Sequence, residues 1–115
     1  MAYLYSLKYN VIMGYSRIEE IICSHFGMDV DEMRSPERES RRKTDCLHFI
    51  WYMRHLYEGA SINELSREYS KTPRNIYFAI AKIREGIVMQ KWYAEAFEKL
   101  RQKGASVADA PEGKE

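Results

Sequence analysis

The amino-acid sequence predicts an all-α protein, a compact helical bundle, on three observations. Serine or aspartate caps stand ahead of several apolar runs, and the runs repeat at helical spacing. No stretch alternates apolar and polar positions as a half-buried strand does. The 115 residues leave room for one domain. A hydrophobic fraction of 45%, with 13% aromatic residues, supplies a core and argues against global disorder.

Residues 1–15 mix tyrosines with polar positions without a clear period and read as a lead-in segment. Ser16-Arg17-Ile18-Glu19 has the spacing of a capping box. Ile18, Ile21, Ile22 and Phe26 follow at helical spacing, and Gly27 is placed to end that helix. Asp29 caps one further short turn that ends near Met33, and Arg34 to Lys43 reads as a polar loop with five basic residues. A long helix is expected from about Thr44 to Glu58. Leu47, Ile50, Met53 and Tyr57 line one side of it, and Phe49, Trp51, Tyr52 and Leu56 make it apolar most of the way round. Such a helix is central to its bundle, and Gly59 closes it.

Ser61-Ile62-Asn63-Glu64 is another capping box, opening a short helix with Ile62, Leu65 and Tyr69 apolar. Ser70 and Lys71 form a tight break. Thr72-Pro73 then reads as a cap followed by proline at the first helical position, where its fixed φ and missing N–H are favourable. Ile76, Ala79, Ile80, Ile83 and Ile87 make one apolar stripe. Two short helices across so brief a break predict a helix-turn-helix. A last amphipathic segment runs from about Val88 to Lys103 with Trp92, Ala96, Phe97 and Leu100. The expected domain therefore spans residues 16–103, and a tail from Gly104 has little to bury and is expected to be disordered.

The formal charge of +1 hides an asymmetry. Residues 1–33 carry a net charge of −3 and residues 34–84 one of +5, which suits an anionic partner. Cys23 and Cys46 are too few for a disulfide framework or a zinc site and read as buried free thiols. There is no secretory signal pattern and no apolar run long enough for a bilayer, so the expectation is a cytoplasmic protein without membrane partners. His25, His48 and His55 are scattered and read as core or surface histidines. No paired carboxylates, glycine-rich phosphate loop or nucleophile motif stands out, so neither catalysis, a metal site nor a cofactor is expected.

The second helix of the pair divides its faces as DNA reading requires. Ile76, Ala79, Ile80 and Ile83 face inward, and the small Ala79 admits the preceding helix. Arg74, Asn75, Phe78 and Lys82 face outward. Arginine and asparagine make bidentate contacts with guanine and adenine edges in the major groove, while the helix N-terminus beside Lys71 suits a phosphate. Arg67 on the first helix is placed to contact the backbone. Arg38, Arg41, Arg42 and Lys43 supply a second contact, along phosphates or in a minor groove. The alternative is a protein-interaction module that keeps the scaffold without reading DNA, binding a second copy or another protein through the aromatic lead-in of Tyr3, Tyr5, Tyr9 and Tyr15.

From Ile18 to about Leu100 the order of elements resembles the C-terminal DNA-binding domain of the bacterial replication initiator DnaA, in the Trp-repressor-like superfamily. Ile18 to Met28 is similar to that family's opening helix, and Val30-Asp31-Glu32-Met33 to its short turn. Ser61 to Tyr69 is similar to the first helix of its reading pair, and Ile76, Ala79 and Lys82-Ile83 to its recognition-helix spacing. The resemblance implies a stand-alone reader of double-stranded DNA linked to replication or transcription control, or carried by a mobile element, and without the initiator's nucleotide-binding domain. By position it puts Thr72, Pro73 and Arg74 at base-reading places, and Asn75, Phe78 and Lys82 nearer the backbone; Ser61 is a further candidate for a backbone contact. It assigns one of Arg38, Arg41 or Arg42 the minor-groove role. The signature turn departs from the family: Thr72-Pro73-Arg74-Asn75 stands where Asp-His-Thr-Thr is usual. The family's Pro-Arg-Gln opening of the long helix is also missing around Thr44 to Cys46. A different target sequence is implied.

Overall fold

The computed structural model describes residues 16–36 and 40–104. The lead-in with Tyr3, Tyr5, Tyr9 and Tyr15, the loop residue Arg38 and the tail after Gly104 lie outside the described residues. The described residues form six α-helices and no strand, an all-α fold.

Helix α1 (Arg17–His25) starts with the expected capping box. The Ser16 hydroxyl accepts from the Ile18 N–H at 3.1 Å, and Glu19 Oε1 accepts from the Ser16 N–H at 3.3 Å. Gly27 follows with φ 73°, the left-handed conformation that glycine adopts without penalty. Helix α2 (Val30–Arg34) is capped by Asp29, whose Oδ1 accepts from the Glu32 N–H at 2.7 Å.

Helix α3 (Arg41–Met53) begins three residues before the expected start. Ser40 is its N-cap, accepting from the Lys43 N–H at 3.1 Å, so Arg41, Arg42 and Lys43 are its first turn and not a loop. Three cations at a helix N-terminus oppose the helix dipole. Local partners offset this: Arg41 pairs with Asp45 at 3.7 Å, Arg42 with Glu32 at 3.5 Å, and the Lys43 ammonium donates to the Ser35 carbonyl at 2.7 Å. After Met53 the helix widens into a π-turn (Arg54–Glu58), where the Arg54 carbonyl accepts from the Gly59 N–H.

Helix α4 (Ile62–Tyr69) carries the second complete capping box, between Ser61 and Glu64. Helix α5 (Pro73–Met89) is longer than the stripe suggested, and Gln90, in extended conformation, separates it from α6 (Lys91–Gln102). The final segment therefore starts at Lys91, not Val88. Tyr93 is its buried ring at that end, while Trp92 is exposed.

Gly86 explains that choice. A Cβ added there would lie 2.7 Å from the Tyr93 ring, so α5 and α6 meet through the missing methyl. Mid-helix Gly→Ala normally stabilises by about 1 kcal/mol. Here the sign is expected to reverse, with Gly86→Ala destabilising by about 1–3 kcal/mol through overpacking. Thermal unfolding measures this; an unchanged or raised Tm would show that Tyr93 yields at no cost.

Helix α3 is central, packed on α1, α2 and α5, and α5 in turn packs on α4 and α6. Ile18, Ile22, Ile50, Met53, Leu65, Ile76, Ile83 and Leu100 close one continuous core around Phe49. Cys23 and Cys46 are buried free thiols with their sulfurs 3.9 Å apart. The hydrogen bond to Cys23, together with burial, raises the Cys46 thiol far above its ordinary pKa.

A polar network crosses this core. Glu19 is fully buried, with 0% of its surface exposed. Its Oε2 accepts from Arg34 Nη2 at 2.6 Å and from the Tyr69 hydroxyl. Arg34 also donates to Glu68 Oε2 at 2.5 Å, and Arg54 donates to Glu68 at 2.8 Å and to Glu58 at 2.7 Å. Burial raises the Glu19 pKa, with Arg34 and Tyr69 pulling the other way. Burial pushes Glu68 up too, but Arg54 and Arg34 outweigh it and hold that carboxyl below its usual range. The network ties α1, α2 and the π-turn to α4, and so fixes where α4 stands. No described helix is long and apolar enough to cross a membrane.

Candidate nucleic-acid interface

The expected helix pair is present. Helix α4 ends at Ser70, whose φ of 57° and ψ of 45° make it the one non-glycine residue with positive φ among the described residues. That left-handed residue turns the chain sharply enough for α5 to start three residues later. The turn is held by the Lys71 N–H donating to the Ser66 carbonyl at 3.0 Å and by the Ser66 hydroxyl donating to the Lys71 carbonyl at 2.5 Å.

Thr72 caps α5, its Oγ1 accepting from the Asn75 N–H at 3.1 Å. Pro73 has no N–H and the Thr72 hydroxyl takes that of Asn75, so among the described residues the amides left at this end are those of Thr72 and Arg74. Ile76, Ala79, Ile80 and Ile83 are buried, and Ile87 is partly buried against the core. The expected outward residues Arg74, Asn75, Phe78 and Lys82 are all exposed.

At about 100° per residue, Arg74, Phe78, Ala81 and the exposed Glu85 form the ridge opposite the buried stripe, with Lys82 on one flank and Tyr77 on the other. The Arg74 guanidinium carbon lies 5.2 Å from the centre of the Phe78 ring. Tyr77 meets Phe78 edge to face at 5.5 Å. Both rings are 53% exposed. Tyr77 was missed in the sequence, although it falls off the 3.6-residue stripe and so marks itself as outward.

Arg67, Arg74 and Lys82 are exposed and have no ion-pair partner among the described residues. Ser61 is exposed, with its hydroxyl engaged in capping Glu64 at 3.0 Å. The basic segment after α2 divides. Ser35 and Pro36 share a cleft of about 300 Å³ with Ser70 and Lys71, so the connection leaving α2 runs beside the turn between α4 and α5. Arg34 is spent on Glu19 and Glu68, and Lys43 is 6% exposed. Arg41 and Arg42 remain exposed on α3.

The histidines are apart. His25 Nδ1 faces the Lys103 ammonium at 3.0 Å, His48 lies tilted against Trp51 with ring centres 5.7 Å apart, and His55 Nδ1 meets the Ala60 carbonyl at 2.8 Å. No group of three or more metal-ligating side chains is found among the described residues. No protein-family model matches the chain, and no curated protein or solved structure matches it either.

Proposed function

We propose that this chain binds double-stranded DNA sequence-specifically, as a cytoplasmic helix-turn-helix module whose scaffold resembles the reading domain of DnaA and which has no catalytic role. The observation that carries the reading is the outer face of α5. It is a capped, 17-residue helix buried along one stripe, and it presents Arg74 and Lys82, which have no ion-pair partner among the described residues, beside a tight turn bearing Lys71. Thr72, Arg74 and Asn75 are the base-reading residues of this proposal. Ser61, Arg67, Lys71 and Lys82 flank the phosphates, with Arg38, Arg41 and Arg42 as a further contact.

Selection of bound duplexes from a random library, followed by anisotropy titration at several salt concentrations, tests this. Arg74→Ala is expected to cost about 1–3 kcal/mol and relax preference at one base pair, whereas Lys71→Ala weakens every sequence alike and lowers the salt slope by about one. Absence of any salt-sensitive binding would sink the proposal. A second reading, as a protein-interaction module, draws on Val88, Met89 and Trp92, which are exposed at the α5–α6 junction. Light scattering that detects a dimer while DNA affinity stays negligible would favour it.

A further inference from the structure

We infer that Phe78 reads the C5-methyl group of a thymine next to the base pair contacted by Arg74. The inference rests on the DNA-binding reading above and moves Phe78 from the backbone position implied by resemblance to the base-reading ridge.

The ridge decides this. Residues four apart on a helix lie one above the other, and Arg74 and Phe78 are in contact at 5.2 Å. Whatever surface meets the Arg74 guanidinium therefore meets the Phe78 ring as well. Buried aromatic rings have a packing role; Phe78 is 53% exposed and packs with two other exposed side chains, Arg74 and Tyr77. A phosphate offers such a ring nothing, since it has no apolar surface.

The major groove offers one apolar group on a base edge, the thymine methyl, and arginine in the same groove is met best by guanine O6 and N7. The next residue along the ridge, Ala81, is small and leaves the ring room to approach a base. Residues 61–89 carry five basic side chains and three acidic ones; Glu68 is held by Arg34 and Arg54, and Glu85 stands on the ridge seven residues past Phe78, at the end away from Arg74.

The test uses the full chain and one duplex from the selected pool, prepared with thymine and again with uracil in its place, which removes only the methyl groups. The parent protein is expected to bind the uracil duplex about fourfold more weakly, the effect of one lost methyl contact. Phe78→Ala is expected to bind both duplexes equally, and Phe78→Leu to recover the preference for thymine. The substitution is on the surface, and helical circular dichroism checks that the variant folds. Equal binding of both duplexes by the parent overturns the inference and leaves DNA binding intact. An undiminished thymine preference in Phe78→Ala overturns it too, assigning the methyl to another side chain. Failure to retain any duplex at low salt overturns the DNA-binding reading itself.

Discussion

Glu19→Ala is expected to destabilise the fold by about 3–5 kcal/mol, the range found when one member of a buried ion pair is removed. Three bonds disappear together. Arg34 loses its 2.6 Å carboxylate, the Tyr69 hydroxyl loses its acceptor, and the Ser16 N–H loses its capping partner. Arg34 is 27% exposed and Ser16 and Tyr69 are half-buried, so the loss comes from the three broken bonds together with the cavity left where Glu19 was fully buried. Glu19→Gln keeps one carbonyl oxygen, which serves either the Ser16 N–H or the Tyr69 and Arg34 side but not both; Arg34 keeps Glu68 at 2.5 Å, so the variant is expected to lose less than Glu19→Ala. Urea unfolding at neutral pH measures both. A loss under about 1 kcal/mol for Glu19→Ala, no more than a surface ion pair gives, would mean that the carboxylate is not desolvated as described.

Phe49→Ala is expected to cost a similar amount, about 3–5 kcal/mol, by a different route. The Phe49 side chain is fully buried, and its ring lies 6.0 Å from that of Phe26, 6.0 Å from Tyr93 and 6.3 Å from Trp92. These neighbours belong to the end of α1 and the start of α6, so the cavity opens where α3 holds both. For a domain of this size each kcal/mol moves Tm by roughly 4–8 °C, and a fall of some 15–30 °C is expected. Phe49→Leu refills most of the space and is expected to cost less than about 1.5 kcal/mol. If alanine and leucine shifted Tm equally, the ring contacts rather than the filled volume would be the stabilising element.

What the sequence revealed and what it hid divide by range along the chain. Caps act within four residues, so Ser16, Asp29, Ser61 and Thr72 could be read directly, and with them four helix starts. The stripe on α5 was legible for the same reason: its period is local. Ser40 caps α3 in the same way, but the residue three along is Lys43 rather than a glutamate, and a run of cations reads as solvated loop. Two of their offsetting partners, Glu32 and Ser35, stand 10 and 8 positions away and become visible only in three dimensions, while Asp45 is local to Arg41 once the helix is known to start there.

The buried network was beyond reach altogether. Glu19 announced itself as a capping residue, but its other partners, Arg34 and Tyr69, stand 15 and 50 positions away. The choice of Tyr93 over Trp92 likewise depended on Gly86, a glycine inside a helix with no turn to explain it. At the interface, the outward residues of α5 followed from periodicity. The pairing of Arg74 with Phe78 and the loss of Arg34 and Lys43 to internal contacts did not.

The π-turn at Arg54–Glu58 has a consequence for how this chain tolerates changes of length. A π-turn is a helix carrying one residue more than its height requires. The surplus sits in a widened loop of backbone just before Gly59, at the end of the element. Removing one residue from that turn would restore ordinary winding and leave the inward face of α3 before it in register. The same deletion inside α5 would rotate everything beyond it by about 100°, carrying ridge side chains toward the core. A single-residue deletion therefore has a place in this chain where its register cost is smallest, at the exposed Leu56 between the network residues Arg54 and Glu58, and not inside α5.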